Sequence, residues 1–253
     1  MKAIMRKIKW RLLYPIKILF FAIGKSWNDF YGWMLDYQDR TTTLEQIFDR
    51  RGPSHRYKGL WHWEKGQDYL EYMIKHGLKK NHRVFDLGCG YGRCTIPIMR
   101  FLGAGGHYVG SEISKKRLDL AREWVAREKL ENNSHELIYS KDLKLPFIED
   151  DSLDVVWVLS VFNHMPNEVL EESISAIAEK MKVGGKLFAF YVDLSAGPST
   201  DVKFFPRADE HMEAVTSRYG FNSKIMNDWE SEYSPENRTV GGRMMISKKV
   251  KRI

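Results

Sequence analysis

Residues 83–93 read Arg-Val-Phe-Asp-Leu-Gly-Cys-Gly-Tyr-Gly-Arg, and that short stretch leaves few folds open. Its first half predicts a buried strand over Arg83–Leu87. Its second half sets Gly88, Gly90 and Gly92 at alternate positions, where a backbone without a Cβ can turn tightly and approach a ligand. A helical run over Cys94–Leu102 follows at once, so the first amides of that helix face the same space. Strand, glycine turn and helix in that order belong to parallel sheets that hold ligands just beyond the carboxyl ends of their strands.

The rest of the chain keeps the alternation. Further strands are predicted over His107–Ser111, Glu136–Tyr139, Leu153–Leu159, Lys186–Val192, Phe221–Met226 and Arg243–Ser247. Helices are predicted over Glu64–His76, Ser114–Glu128, Glu168–Met181 and Asp209–Tyr219, with Ser114 as an N-cap. Strands alternating with helices imply right-handed crossovers and an α/β fold. The run Asp154-Val-Val-Trp-Val-Leu159 is apolar almost throughout, as a strand covered on both faces must be.

The glycine turn does not fit a dinucleotide. Position 93 is Arg where the G-x-G-x-x-G form requires Gly. Asp86, two residues before the first glycine, would repel a pyrophosphate. It suits a ligand that carries an ammonium or sulfonium group and no phosphate.

With these features the stretch resembles motif I of the class I S-adenosylmethionine-dependent methyltransferases. Four more segments match that family in order: Tyr108-Val-Gly-Ser-Glu-Ile-Ser114, Lys141-Asp-Leu-Lys-Leu-Pro-Phe147 with Asp150-Asp-Ser-Leu-Asp-Val-Val156, Ser160-Val-Phe-Asn-His-Met-Pro166, and Met181-Lys-Val-Gly-Gly-Lys-Leu187. The resemblance spans about residues 60–250. It implies a Rossmann-like fold with a mostly parallel seven-stranded sheet, helices on both faces, and S-adenosylmethionine as cofactor. It further implies that the loop of Gly88, Cys89, Gly90 and Gly92 wraps the methionine part of the cofactor, with Asp86 near the amino group. Glu112 would take the ribose hydroxyls, Ile113 would pack on the adenine, and Asp142 and the Leu143 amide would read the adenine edge. Ser160 joins the same set at the end of the fourth strand. The interval from Asp142 to Leu-Pro-Phe is one residue shorter than the family's usual one.

Transfer to a hydroxyl needs a base within reach. His164 follows a strand at the ligand edge and is the candidate base or substrate-orienting group, with Asn163 beside it. A turn-capping role for His164 fits the sequence equally well. Asp193 reads better as a surface carboxylate, and Cys89 as a small side chain that fits its loop. The histidines are scattered and Asp150-Asp151 lies in a polar loop, so no metal site is expected.

Charge is distributed unevenly. Lys2, Arg6, Lys7, Lys9, Arg11, Lys17 and Lys25 stand in the first 25 residues without a single acid, and they equal the whole net charge of +7. The body is neutral overall, which argues against a nucleic-acid surface. The apolar run Leu12–Ile23 is interrupted by Pro15 and Lys17 and falls short of the roughly 20 residues a spanning helix needs. Lys17 and the lack of a small-residue cleavage site argue against a signal peptide. Ile4, Ile8 and Leu12 on one side, with bases on the other, fit an anionic membrane surface; a helix packed on the domain is the alternative.

The chain thus divides into a basic, aromatic arm, 1–59, and a methyltransferase domain, 60–253. Two cysteines exclude a disulfide framework and favour a reducing, cytoplasmic setting, peripheral to the inner face of a membrane where the arm binds one. The acceptor is expected to be a small molecule, a glycan or a lipid-linked compound. Arg50–Arg56, Trp61, Trp63 and Phe204–Arg207 are candidate substrate-side elements. An RNA or protein methyltransferase, or a cofactor-binding scaffold without activity, are the other readings.

Overall fold

The computed structural model describes residues 13–48, 63–196, 204–229 and 242–252. Among these residues seven strands form one sheet: β1 (Arg83–Leu87), β2 (His107–Glu112), β3 (His135–Tyr139), β4 (Leu153–Val158), β5 (Met181–Val192), β6 (Phe221–Ile225) and β7 (Gly242–Lys249). Their spatial order is β3-β2-β1-β4-β5-β7-β6. Strands β1 to β5 pair in parallel, and β7 lies antiparallel between β5 and β6. The chain leaves β1 toward β2 on one side and reaches β4 on the other, so a crevice opens between β1 and β4 at their carboxyl ends.

Helices cover both faces. In chain order they are α1 (13–22), α2 (Trp27–Asp39), α3 (Leu44–Phe48), α4 (Trp63–Lys75), α5 (Thr95–Leu102), α6 (Lys115–Arg127), α7 (Asn167–Lys180) and α8 (Asp209–Arg218). Successive strand residues point to opposite faces. Val84, Val155, Trp157, Phe188 and Phe190 are buried with α4, α5 and α6. Phe85, Leu87, Val156, Val158 and Ala189 are buried with α7 and α8. Double coverage explains why these strands read as continuous apolar runs.

One boundary moves appreciably. β5 begins at Met181, five residues ahead of the Lys186 that the sequence indicates. Leu153 pairs with Met181 but Val155 pairs with Lys186, so the Lys-Val-Gly-Gly segment bulges out of the ladder, with Gly184 at φ +93°. The segment is both turn and strand, because pairing resumes on either side of the bulge.

The N-terminal helices sit on the body. α1 stops at Gly24, φ +74°, where the amides of Gly24 and Lys25 close onto the carbonyls of Phe21 and Phe20. Ser26 then opens α2 with a reciprocal cap: its hydroxyl accepts from the Asp29 amide, and the Asp29 carboxylate accepts from the Ser26 amide. Leu13, Ile16 and Phe20 of α1 pack on the buried Trp27 and Phe30. Trp27 meets Phe205 edge-on with ring centroids 5.5 Å apart. Residues 1–12, residues 49–62 with Trp61, and residues 197–203 lie outside the described residues. Among the described residues, no helix is long and apolar enough to cross a membrane.

Candidate active site

The crevice is built on the glycine hairpin after β1. A Cβ at Gly88, φ +76°, would stand 2.5 Å from Cγ2 of Val161, so glycine lets the hairpin nest against the turn that follows β4. The amides of Gly88 and Cys89 donate to the Ser111 carbonyl at 2.8 and 3.0 Å, which ties the hairpin to β2. Gly90 donates to Glu112 Oε2 at 3.0 Å, and Gly92 donates to the Cys89 carbonyl. These four amides are therefore occupied by protein oxygens and do not form a phosphate nest.

Two carboxyls are buried here. Glu112 ends β2 and is 4% exposed. Its Oε1 accepts from the amides of Ile113 and Ser114, both at 2.8 Å. Burial pushes its pKa above the usual range, while the Arg117 guanidinium and the three amides oppose that shift. Asp86 is 2% exposed and accepts from the Tyr108 hydroxyl at 2.8 Å, whose oxygen lies 2.7 Å from Thr95 Oγ1. Burial pushes Asp86 up to about 7; the Tyr108 bond opposes this and the nearby Glu112 charge adds to it. A cation placed beside Asp86 would favour its ionised form. Burial also pushes the Cys89 thiol well above its ordinary value, so it is a packed side chain rather than a nucleophile.

The loop after β3 lies alongside, through a bond from the Ser140 amide to the Glu112 carbonyl at 3.1 Å. Asp142 is exposed and caps its own turn, accepting from the Lys144 amide at 2.8 Å. Leu143 is half-buried against the core of the α7 face.

On the other side, β4 runs into Ser160, at φ +56°, and a single 3₁₀ turn over Phe162–His164. Asn163 is 4% exposed; its Oδ1 has no hydrogen-bond partner among the described residues, and its Nδ2 lies 3.3 Å from His164 Nε2. The His164 ring stacks on Tyr31 with centroids 5.5 Å apart. Both side chains therefore stand in the turn beyond the carboxyl end of β4.

Arg207, the end of a segment the sequence marks as a substrate-side element, and residues of α2, which it misses, close the site. Arg207 is buried; its Nη1 donates to the carbonyls of Phe162 and Phe205 at 2.7 and 2.8 Å, and its Nη2 donates to that of Met165. Burial pulls its pKa down to about 10. It therefore clamps the segment after β5 to the turn after β4. α2 grips the loops after β2 and β3. A Cβ at Gly32 would stand 2.7 Å from the Ile113 carbonyl. Asn28 donates to the Lys141 carbonyl at 2.8 Å, and Asp29 pairs with Lys141 at 3.2 Å. Asp36 Oδ1 accepts from the Ser114 hydroxyl and the Lys116 amide at 2.6 and 3.1 Å, while Asp39 pairs with Arg117 at 2.7 Å. A glycine inside the aromatic stretch Trp27–Asp39 is the one sequence signal for this close approach.

Asp193 pairs with Arg243 at 3.0 Å and caps Ser195. Asp150 and Asp151 pair with Lys180 and Arg252. No group of three or more potential metal ligands gathers among the described residues.

A crevice with two buried carboxyls and no amide nest fits a cationic nucleoside without phosphate, as S-adenosylmethionine is. Residues 84–185 match the family model of the methyltransferase domain. Residues 84–185 carry a methyltransferase domain, and the fold is that of the class I S-adenosylmethionine-dependent methyltransferases. Its methyltransferase sheet is similar to the crystal structure of magnesium protoporphyrin IX methyltransferase from Synechocystis with S-adenosylmethionine bound. The TM-score is 0.64 at 18% identity, covering 86% of this chain and 96% of that one. An uncharacterized methyltransferase of Schizosaccharomyces pombe is 30% identical over 196 residues, 69% of this chain and 64% of its own length. The ubiquinone biosynthesis O-methyltransferase of Nitrosococcus oceani is 29% identical over 47% of each chain. The chain spans between 37% and 64% of the length of these and other curated relatives.

Proposed function

We propose that this protein methylates a hydroxyl oxygen of a small-molecule, glycan or lipid-linked acceptor near a membrane. The observation that carries the methyl-transfer reading is the buried Glu112 carboxylate, bonded to the Gly90 amide at the end of β2. When bound, S-adenosylmethionine supplies a methyl group on a positively charged sulfur, open to displacement by a nucleophile. Glu112 holds the ribose hydroxyls, Asp86 faces the amino group, and Gly88, Cys89, Gly90 and Gly92 give the methionine part its backbone wall. Ile113 packs on the adenine; Asp142 and Leu143 read its edge, and Ser160 borders the cleft.

His164 orients the acceptor hydroxyl and takes its proton. Asn163 Oδ1, a buried acceptor without a donor among the described residues, supports a hydroxyl binding at this turn. The arm, 1–59, serves as a substrate cap over the domain, 60–253; Tyr31 against His164 and Asn28 against Lys141 support that division of labour. A relative whose name specifies O-methylation in ubiquinone biosynthesis supports an oxygen acceptor.

Calorimetry with S-adenosylhomocysteine tests the cofactor site, and no binding by the native chain would end the reading. Labelled-methyl transfer into fractionated membrane and cytosolic extracts, with mass analysis of the product, identifies the acceptor. A His164→Ala variant that binds cofactor and keeps full turnover would remove His164 as the base.

A further inference from the structure

α1 has two apolar faces and only one of them is covered. Leu13, Ile16 and Phe20 pack on Trp27 and Phe30. Tyr14, Ile18 and Phe21, spaced by four and three residues, line an outer stripe; Leu19 farther round the helix and Ile23 just past its end are exposed as well, Leu19 by 59%. A patch of large apolar side chains on this scale marks a surface that meets something other than water.

Charge selects what it meets. The ammonium of Lys17 stands 5.8 and 5.9 Å from the ring centroids of Tyr14 and Phe21, and 5.1 Å from that of Trp27. Lys25 follows at the helix end, and Lys2, Arg6, Lys7, Lys9 and Arg11 precede it in sequence. The acids of α2 are turned the other way: Asp29 to Lys141, Asp36 to Ser114, Asp39 to Arg117. The outer side is left basic and aromatic while the inner side keeps the acids. A second copy of this chain would bring like charges together across a two-fold axis, which opposes self-association. Aromatic rings, aliphatic chains and lysines at one level match the boundary between lipid headgroups and acyl chains.

We infer that the outer face of α1 docks on an anionic bilayer, with Tyr14, Ile18, Leu19, Phe21 and Ile23 entering the acyl boundary and the basic residues lying among the headgroups. The inference deepens the proposed function, on which it rests for its purpose alone: it names a lipid leaflet as the source of the acceptor. The inner partners of α1 lead straight to the proposed site, since Trp27 touches Phe205 and Tyr31 stacks on His164. A lipophilic acceptor leaving the leaflet therefore meets the rim of the crevice along α2.

Flotation of the full-length chain tests this, with vesicles of equal parts phosphatidylserine and phosphatidylcholine against vesicles of phosphatidylcholine alone. The native chain should float with the mixed vesicles and lose at least tenfold in bound fraction on the neutral ones. Two double variants, Ile18→Glu with Leu19→Glu and Tyr14→Ser with Ile23→Ser, replace solvent-facing groups. Each should melt as the native chain does, bind S-adenosylhomocysteine equally well, and stay off the mixed vesicles. Should one variant melt early, the other decides. A native chain that fails to float, variants that float as well as native, or a native dimer that either variant dissociates in sedimentation would each overturn the inference. Flotation without any S-adenosylhomocysteine binding would leave the docking face standing and remove the methyltransferase reading.

Discussion

Asp86 and Glu112 are close enough for the charge of one to oppose ionisation of the other, and both are closed off from water. The consequence for stability has a definite sign. The carboxyl of Asp86 titrates near 7 in the folded protein and near 3.8 when free, so the fold favours its neutral form. That contribution is complete below pH 4 and is lost as pH rises toward 7. Asp86→Asn, which keeps an acceptor for Tyr108 and never ionises, should match the native chain near pH 4. It should become more stable than native by up to about 4 kcal/mol near pH 7, at about 1.4 kcal/mol per unit. Urea unfolding at several pH values checks this, and a gap that stays constant with pH would show that Asp86 is not the group responsible. Glu112→Gln keeps the size and loses the charge. A charged hydrogen-bond acceptor contributes about 1.5–3 kcal/mol, so calorimetry should show S-adenosylhomocysteine affinity falling by about 10- to 100-fold.

Elements differ in how openly the sequence announces them. The inner strands β1, β4 and β5 are readable because cover on both faces writes apolar runs into them, whereas β3, β6 and β7 mix buried and exposed residues. The sequence puts Glu112 at the end of β2, Asp142 in the loop after β3, and Asn163 and His164 in the turn after β4, and the structure has them at those places. The work of α2 and Arg207 is not readable, since most of their partners lie far along the chain. Nothing near Gly32 in sequence tells that the Ile113 carbonyl lies against it. Gly32→Ala should push α2 off the Ile113 loop and destabilise the fold by about 1–3 kcal/mol, as overpacking does. A lowered melting temperature together with weaker S-adenosylhomocysteine binding would show it; an unchanged pair would mean that α2 does not brace the cleft. Arg207→Met should orphan the carbonyls of Phe162, Met165 and Phe205, at about 1–3 kcal/mol for each group left buried without a donor. Because Arg207 positions the His164 turn, methyl transfer should fall more than cofactor affinity does. Equal losses in both would mean a merely global effect.

At the scale of the molecule, stability should be graded across the sheet. β1, β4 and β5 lie inside it, flanked by strands and covered by helices, whereas β3 and β6 are its edges. Amide hydrogen exchange followed by mass spectrometry should find protection highest in β1, β4 and β5 and falling toward β3 and β6. Edge strands that outlast the centre would contradict the order described. The small cluster around Trp27 and Phe30 carries a further consequence. Its cover includes Val169 and Phe205, which belong to the far half of the polypeptide. A ribosome releases the amino end first, so these two rings wait with part of their cover missing through most of translation. During that interval the nascent helices have their greasiest contacts to offer to whatever chaperone or leaflet stands nearest, before there is a sheet for them to rest on.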